Sequence, residues 1–188
     1  MMIGINDDEF IRGDVPMTKQ EIRILTIAKA KIKPGDTVID IGAGTGSLSI
    51  EAAKIARQVF AIEKNPDAVD LIEQNAEKFS VNNIIIINAE APKSLSAIKN
   101  VDVVLIGGSG GFLKNILETI DKRLKAGGRI VINAITIQTL NDAIDYFKNH
   151  SNYKYDAIQV QINRLQQIGH YDMSKALNPI FIISAEKL

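Results

Sequence analysis

The chain has 188 residues, 46% of them hydrophobic, and its 22 basic and 22 acidic side chains cancel. That length buries one substantial core and leaves little for a second, so one domain over residues 1–188 is expected, with residues 1–33 as an N-terminal segment and capped helix. A neutral chain has no global field toward nucleic acid or an anionic membrane, and the lack of cysteine excludes disulfides, thiolate metal ligands and thiol nucleophiles. Met1 to Glu9 is acidic and no apolar run approaches the roughly 18 residues of a membrane span, so a soluble cytoplasmic protein is expected.

Strand-length apolar runs alternate with helix-period segments, the pattern of a parallel sheet covered on both faces. Thr18-Lys19-Gln20-Glu21 has capping-box spacing, with Ile22, Leu25 and Ala28 following on one helical face before Pro34-Gly35. Val38 to Ile41 reads as a strand, a glycine loop turns it into a helix burying Leu48, Ala52 and Ile55, and Val59 to Ile62 is the second strand. Asn65-Pro66-Asp67 supplies an N-cap, a proline at the first helical position and an acid against the helix dipole, ahead of Val69, Ile72, Ala76 and Phe79.

Ile84 to Ile87 and Val101 to Ile106 are the third and fourth strands. Phe112 to Leu124 carries helical spacing into a stop at Lys125-Ala126-Gly127-Gly128, and Arg129 to Ala134 is the fifth strand. A helix through Leu140, Ala143, Ile144 and Phe147 follows. Segments around Tyr155 to Leu165 and Pro179 to Ala185 have no crossover helix between them, which predicts an antiparallel hairpin at the sheet edge. The predicted class is α/β, a Rossmann-like doubly wound sheet with function in the loops at the carboxyl ends of its strands.

In Asp40-Ile41-Gly42-Ala43-Gly44-Thr45-Gly46 the glycines let the backbone turn sharply and approach a ligand, and the next helix aims its N–H groups at that ligand. Glu63, about 20 residues further on, is placed to accept hydrogen bonds from both ribose hydroxyls. A dinucleotide fold needs a further glycine where Ser47 stands, and here the glycine comes one residue early, at Gly46. The pattern favours the phosphate-free ligand S-adenosylmethionine over a nicotinamide cofactor.

This arrangement resembles the class I S-adenosylmethionine methyltransferases, whose fold is a seven-stranded sheet with an antiparallel final hairpin. The resemblance implies cofactor contacts from Asp40, Gly42, Ala43, Gly44, Thr45 and Gly46 along the methionine portion, Glu63 on the ribose, and Glu90 and Ala91 beside the adenine. In this fold the loop after the fourth strand faces the transferred methyl group. Ile106-Gly107-Gly108-Ser109-Gly110-Gly111 lacks the Asp/Asn-Pro-Pro-aromatic acceptors of amino-directed enzymes and makes a wide floor with exposed backbone amides, suited to a large flat substrate or its carboxylates.

The segments DDEFIRGDVPMTKQEIR, DIGAGTGSLSIEAA, NAEAP, IGGSGG, LKAGGRIVINAI and ALNPIFIIS together resemble the cobalt-precorrin-6B C15-methyltransferase (decarboxylating) family of cobalamin biosynthesis, in order and across nearly the whole chain. The likeness implies methylation of the C15 meso carbon of a corrin precursor, loss of carbon dioxide from the C12 acetate, Thr18 at the cofactor, and a homo-oligomer, with a tetramer favoured. A macrocycle that supplies its own carbon nucleophile needs positioning more than covalent catalysis. Its carboxylates need placed cations: Arg12, Lys19 and Arg23, with Arg164, His170 and Lys175 as further candidates. Gly108, Ser109 and Asn133 are candidates for orienting the ring. His150 reads as a helix-end residue, and two histidines far apart in sequence suggest no metal site, so any cobalt arrives with the substrate. A tRNA or protein methyltransferase of the same fold would need a basic stripe or inserted recognition segment; a non-catalytic cofactor-binding subunit is the remaining alternative.

Overall fold

The computed structural model describes residues 4–188. After a short 3-10 turn at Asp7–Glu9 come α1 (Gln20–Ala30), β1 (Thr37–Ile41), α2 (Ser47–Ala53), β2 (Gln58–Glu63), α3 (Pro66–Lys78), β3 (Ile84–Asn88) and α4 (Ala91–Ser94). They are followed by β4 (Val101–Ile106), α5 (Leu113–Asp121), β5 (Leu124–Ala134), α6 (Ile137–Lys148), β6 (Tyr153–Val160), β7 (Asn163–Ile168), β8 (Tyr171–Ala176) and β9 (Ile180–Lys187). Seven strands form one sheet in the order β3-β2-β1-β4-β5-β9-β6. The pairs among β1 to β5 are parallel, and β9 runs antiparallel to both its neighbours.

Helices cover both faces, so the central strands bury consecutive residues instead of alternating. Val38, Val103, Leu105 and Val131 pack toward α1 and α2, while Ile39, Ile41, Val104, Ile106 and Ile132 pack toward α5 and α6. Each such side chain removed from water contributes about 1.5–3 kcal/mol, which makes the sheet the rigid part of the molecule. Its parallel strands all end on the same edge, where β1 turns into the glycine loop and β4 into the floor loop. Among the described residues no helix is long and apolar enough to cross a membrane.

Four local expectations are corrected. The Thr18 capping box does not form: α1 starts at Gln20, the N-cap is Lys19, and the Gln20 N–H donates instead to the carboxylate of Asp7 at 2.9 Å. Glu21, freed from the box, pairs with Arg164 at 2.6 Å. The buried face of α1 is Ile22, Arg23, Thr26, Ile27 and Ala30, and Ala28 is exposed. Helix α5 stops at Asp121, and Lys125-Ala126-Gly127-Gly128 lies inside β5, because Leu124 already pairs with Val101 and the register then shifts at the bulge before Val103.

Last, β6 and β9 do pair antiparallel at the sheet edge, but the chain between them is no simple turn. It forms a separate two-stranded ribbon, β7 with β8. Every residue of both ribbon strands is exposed, so no buried alternation marks them in the sequence. The available signal is Gly169-His170 between Ile168 and Tyr171, with Gly169 at φ +62°, a two-residue hairpin turn.

Candidate active site

At the carboxyl edge of the sheet the structure has a cavity of about 400 Å³, within the range of ligand sites. Its walls come from the segment Val15 to Lys19, the loop Gly42 to Thr45, Glu63 with Lys64, Glu90 with Ala91, the floor Gly107 to Gly110, and Asn133. The fold therefore brings together Thr18, Lys19, Gly42, Ala43, Gly44, Thr45, Glu63, Glu90, Ala91, Gly108, Ser109 and Asn133, as the sequence suggests.

Close backbone contact shapes this cavity. Gly42 has φ +67°, and a Cβ there would lie 2.5 Å from the carbonyl oxygen of Gly108, so the glycine and floor loops touch main chain to main chain. Gly46 does not line the cavity; it holds the left-handed N-cap of α2, its missing Cβ leaving room for Ile72.

The N–H groups of Gly42 and Ala43 both donate to the Ile62 carbonyl, that of Gly44 to Glu63 Oε2 at 2.9 Å, and that of Gly46 to the Ala43 carbonyl. The loop thus offers a ligand shape rather than the row of free donors a pyrophosphate requires. The floor behaves likewise: Gly107 and Gly108 donate to the Ile41 carbonyl, which withdraws two of the amides expected to be open to substrate carboxylates.

Glu63 is fixed at the end of β2. Its Oε1 accepts from the N–H groups of Lys64 and Asn65, both at 2.9 Å, and its Oε2 from Gly44 alone. A carboxylate has roughly four acceptor positions, so one remains on Oε2 for a donor from the cavity. Next to it, Lys64 lines the cavity with its Nζ beside Gly110. Lys64 is a cation the sequence reading passed over, although its place directly after the ribose-type acid is a signal.

Asp40 sits behind the loop, fully buried and outside the cavity wall. Its Oδ2 accepts from the Ser49 hydroxyl at 2.6 Å and its Oδ1 has no partner among the described residues. Burial pushes this carboxyl up from 3.8 to about 6, opposed by the Ser49 hydrogen bond and aided by the nearby charge of Glu63. The native pKa lies above the unfolded one, so the desolvated charge costs nothing below 3.8, costs increasingly between 3.8 and 6, and costs in full above that. Replacing Asp40 by Asn removes this dependence. The stability of Asp40→Asn relative to the parent should rise by about 2.5 kcal/mol between pH 4 and pH 7, read by denaturant titration; a difference flat across that range contradicts the assignment.

The cation candidates divide sharply. Lys19 lines the cavity, with its Nζ 3.9 Å from Asp7. Arg12 is exposed and outside it. Arg164 is tied to Glu21, His170 sits in the ribbon turn and Lys175 on β8, none of them at the cavity.

Arg23 is corrected outright: it is 0% exposed and cannot meet a substrate. Its guanidinium donates to Asp7 at 2.8 Å and to the Ile5 and Thr18 carbonyls, lies 3.8 Å from the buried carboxylate of Glu51, and stacks on Phe10 at 4.6 Å. Glu51 in turn accepts from the Gly4 and Ile5 N–H groups. Asn75 bonds both the Ile11 main chain and the Thr45 carbonyl. Arg23, Glu51 and Asn75 thus strap the N-terminal segment across the glycine loop. His150, as expected, ends α6, its Nδ1 2.7 Å from the Tyr146 carbonyl.

The sheet order, the glycine-loop cavity and the acid at the end of β2 define a class I methyltransferase. Residues 9–187 match the precorrin methyltransferase domain, and the chain belongs to that family. It is 46% identical to a probable cobalt-precorrin-6B C(15)-methyltransferase (decarboxylating) of Sulfurisphaera tokodaii, over 98% of this chain and 97% of that one. Among solved structures it is similar to a precorrin-6y C5,15-methyltransferase of Geobacter metallireducens, with a TM-score of 0.92 and 39% identity over 99% of this chain and 97% of the other. It is also similar to a protein of Methanobacterium thermoautotrophicum named precorrin 8W decarboxylase, with a TM-score of 0.91 and 33% identity over 96% and 98%.

Proposed function

We propose that this enzyme transfers a methyl group from S-adenosylmethionine to the C15 meso carbon of cobalt-precorrin-6B and that the C12 acetate leaves as carbon dioxide. The full-length likeness to relatives named for that reaction carries the choice of substrate. The cavity supports the choice of cofactor: a glycine loop with its N–H groups engaged internally suits an adenosyl ligand without phosphates, and Glu63 keeps one acceptor position open. When bound, the cofactor supplies a methyl group on a sulfonium.

The chain's own residues then bind and orient. Glu63 takes a ribose hydroxyl, Glu90 and Ala91 flank the adenine, and Gly42 to Thr45 with Thr18 enclose the methionine portion. Among the residues lining the cavity Val15, Pro16, Met17 and Ile135 are apolar, Ile135 being 62% exposed. This surface fits the flat face of a macrocycle, and Lys19 and Lys64 at the wall are the cations placed for its carboxylates.

Because a single acceptor position is open on Glu63, Glu63→Ala should weaken S-adenosylhomocysteine binding by about 1.5–3 kcal/mol, one charge-assisted bond and not two. Glu63→Gln, which keeps an acceptor oxygen, should lose less. Calorimetric affinity unchanged in both variants removes Glu63 from the cofactor site.

We further propose a homo-oligomer, a tetramer by family resemblance. The β6/β9 pair turns apolar side chains toward its own core, with Ile182 buried and Ile158 and Val160 half-buried against it. On the ribbon, Ile168, Tyr171 and Met173 share one face at 53% to 77% accessible, and Leu165 lies on the other at 78%. Light scattering should give a multiple of the chain mass, reduced to one chain by Tyr171→Glu with Met173→Glu. A monomeric parent contradicts the oligomer, and an assembly that survives both changes contradicts the ribbon as its contact.

A further inference from the structure

Lys64 follows Glu63 directly and lines the cavity, and its ammonium lies over the floor loop, 3.7 Å from where a Cβ on Gly110 would stand. Among the described residues it pairs with no carboxylate. Glu63 is its chain neighbour, but that carboxylate is held by the N–H groups of Lys64, Asn65 and Gly44. Lys19, the other cation of the wall, has Asp7 3.9 Å from its Nζ. In the floor loop Gly107 and Gly108 donate to the Ile41 carbonyl, whereas the N–H groups of Ser109, Gly110 and Gly111 have no partner among the described residues. Donors thus gather around Gly110, one ammonium and a run of main-chain N–H groups, with no acidic side chain paired to them.

Such a cluster fits a carboxylate. The proposed reaction has two kinds of carboxylate to place, those the substrate keeps and the one it loses, and their chemistry differs. As the bond from the acetate methylene to its carboxyl breaks, the electron pair moves onto the methylene and into the conjugated ring, and carbon dioxide leaves uncharged. An ammonium on the carboxyl oxygens stabilises the charge where it starts and not where it goes, so it slows this step. Val15, Pro16, Met17 and Ile135 of the same wall are apolar and exert no such hold. We propose that Lys64 and the amides of Ser109 to Gly111 hold a carboxylate that the tetrapyrrole keeps, and that the acetate lost as carbon dioxide lies away from them, against the apolar part of the wall. This rests on the proposed substrate. It makes Lys64 a specificity residue, since a carboxylate pinned there is both oriented and protected from loss.

Lys64 is exposed, so its substitution leaves the core untouched. Lys64→Met keeps the stem and removes the charge, and Lys64→Arg keeps the charge. With cobalt-precorrin-6B and S-adenosylmethionine, Lys64→Met should raise KM for the tetrapyrrole about tenfold or more, the loss of one charge-assisted bond, and lower kcat by less. Its S-adenosylhomocysteine affinity should hold, and one carbon dioxide should still leave per methyl transferred. Lys64→Arg should keep most of the parent's KM. A Met variant whose product gains the methyl but keeps the C12 carboxyl, or one that releases carbon dioxide faster, moves Lys64 to the departing acetate and overturns the proposal. Unchanged KM makes it a solvated charge and an equal loss of S-adenosylhomocysteine affinity moves it to the cofactor, and either result overturns the proposal too. Parent protein that leaves the tetrapyrrole unmethylated fails the proposed function and this inference with it, an outcome separate from all of these.

Discussion

Arg23→Ala should be the most damaging single substitution at a charged residue. Breaking a buried ion pair by removing one partner costs about 3–5 kcal/mol, because the other charge stays behind without compensation. Here two carboxylates are left, Asp7 at the edge of the segment and Glu51 at 1% exposure. The Ile5 and Thr18 carbonyls lose their donors at the same time. Since Val15 to Lys19 form a wall of the cavity, release of the strap should lower cofactor affinity together with stability. Arg23→Lys should rescue only in part, because an ammonium cannot reproduce the guanidinium's planar fork and its stack on Phe10. Arg12→Ala, at an exposed site off the cavity, should change neither quantity. Thermal melts followed by circular dichroism and calorimetry read both effects, and an Arg23→Ala protein with the parent's melting temperature contradicts the strap.

Gly42→Ala should nearly abolish turnover. A left-handed residue with a side chain costs about 1–2 kcal/mol for its backbone alone. The added Cβ would also stand 2.5 Å from the Gly108 oxygen and 2.8 Å from its Cα, main-chain atoms that cannot swing away. The glycine and floor loops must separate, and displacement of about 1 Å at a reacting centre costs about a hundredfold in rate. Gly169→Ala is the control, with φ +62° and open space around its Cβ, so it loses only the backbone part. Equal activity in the Gly42 and Gly169 variants contradicts the close approach of the two loops.

The parts of this protein that were readable from its sequence are those where local chemistry and burial agree. Runs rich in Val and Ile at residues 38–41 and 101–106 read as doubly covered parallel strands, and Asn65-Pro66-Asp67 caps α3 as expected, the Asn65 side chain accepting from the Asp67 N–H. The glycine loop and Glu63 were legible because turn geometry and strand ends impose their own residue types. Arg23 was not, since a helical arginine reads alike whether solvated or buried, and its partners lie 16 and 28 positions away. Its place between Ile22 and Thr26 on the buried stripe of α1 is the clue that spacing carried. Thr18 failed as a cap because a carboxylate from another segment, Asp7, reached the helix start first. The ribbon failed for the opposite reason: with no face covered by its own chain, β7 and β8 have no pattern of burial to print on the sequence.

The most direct test is one incubation of the purified protein with cobalt-precorrin-6B and S-adenosylmethionine carrying an isotopically labelled methyl, followed by mass spectrometry and carbon NMR. The product should gain one labelled methyl on the C15 meso carbon and lose one carboxyl as carbon dioxide. A methyl placed on another carbon, or a tetrapyrrole recovered unmethylated from protein that binds the cofactor, would contradict the proposed reaction.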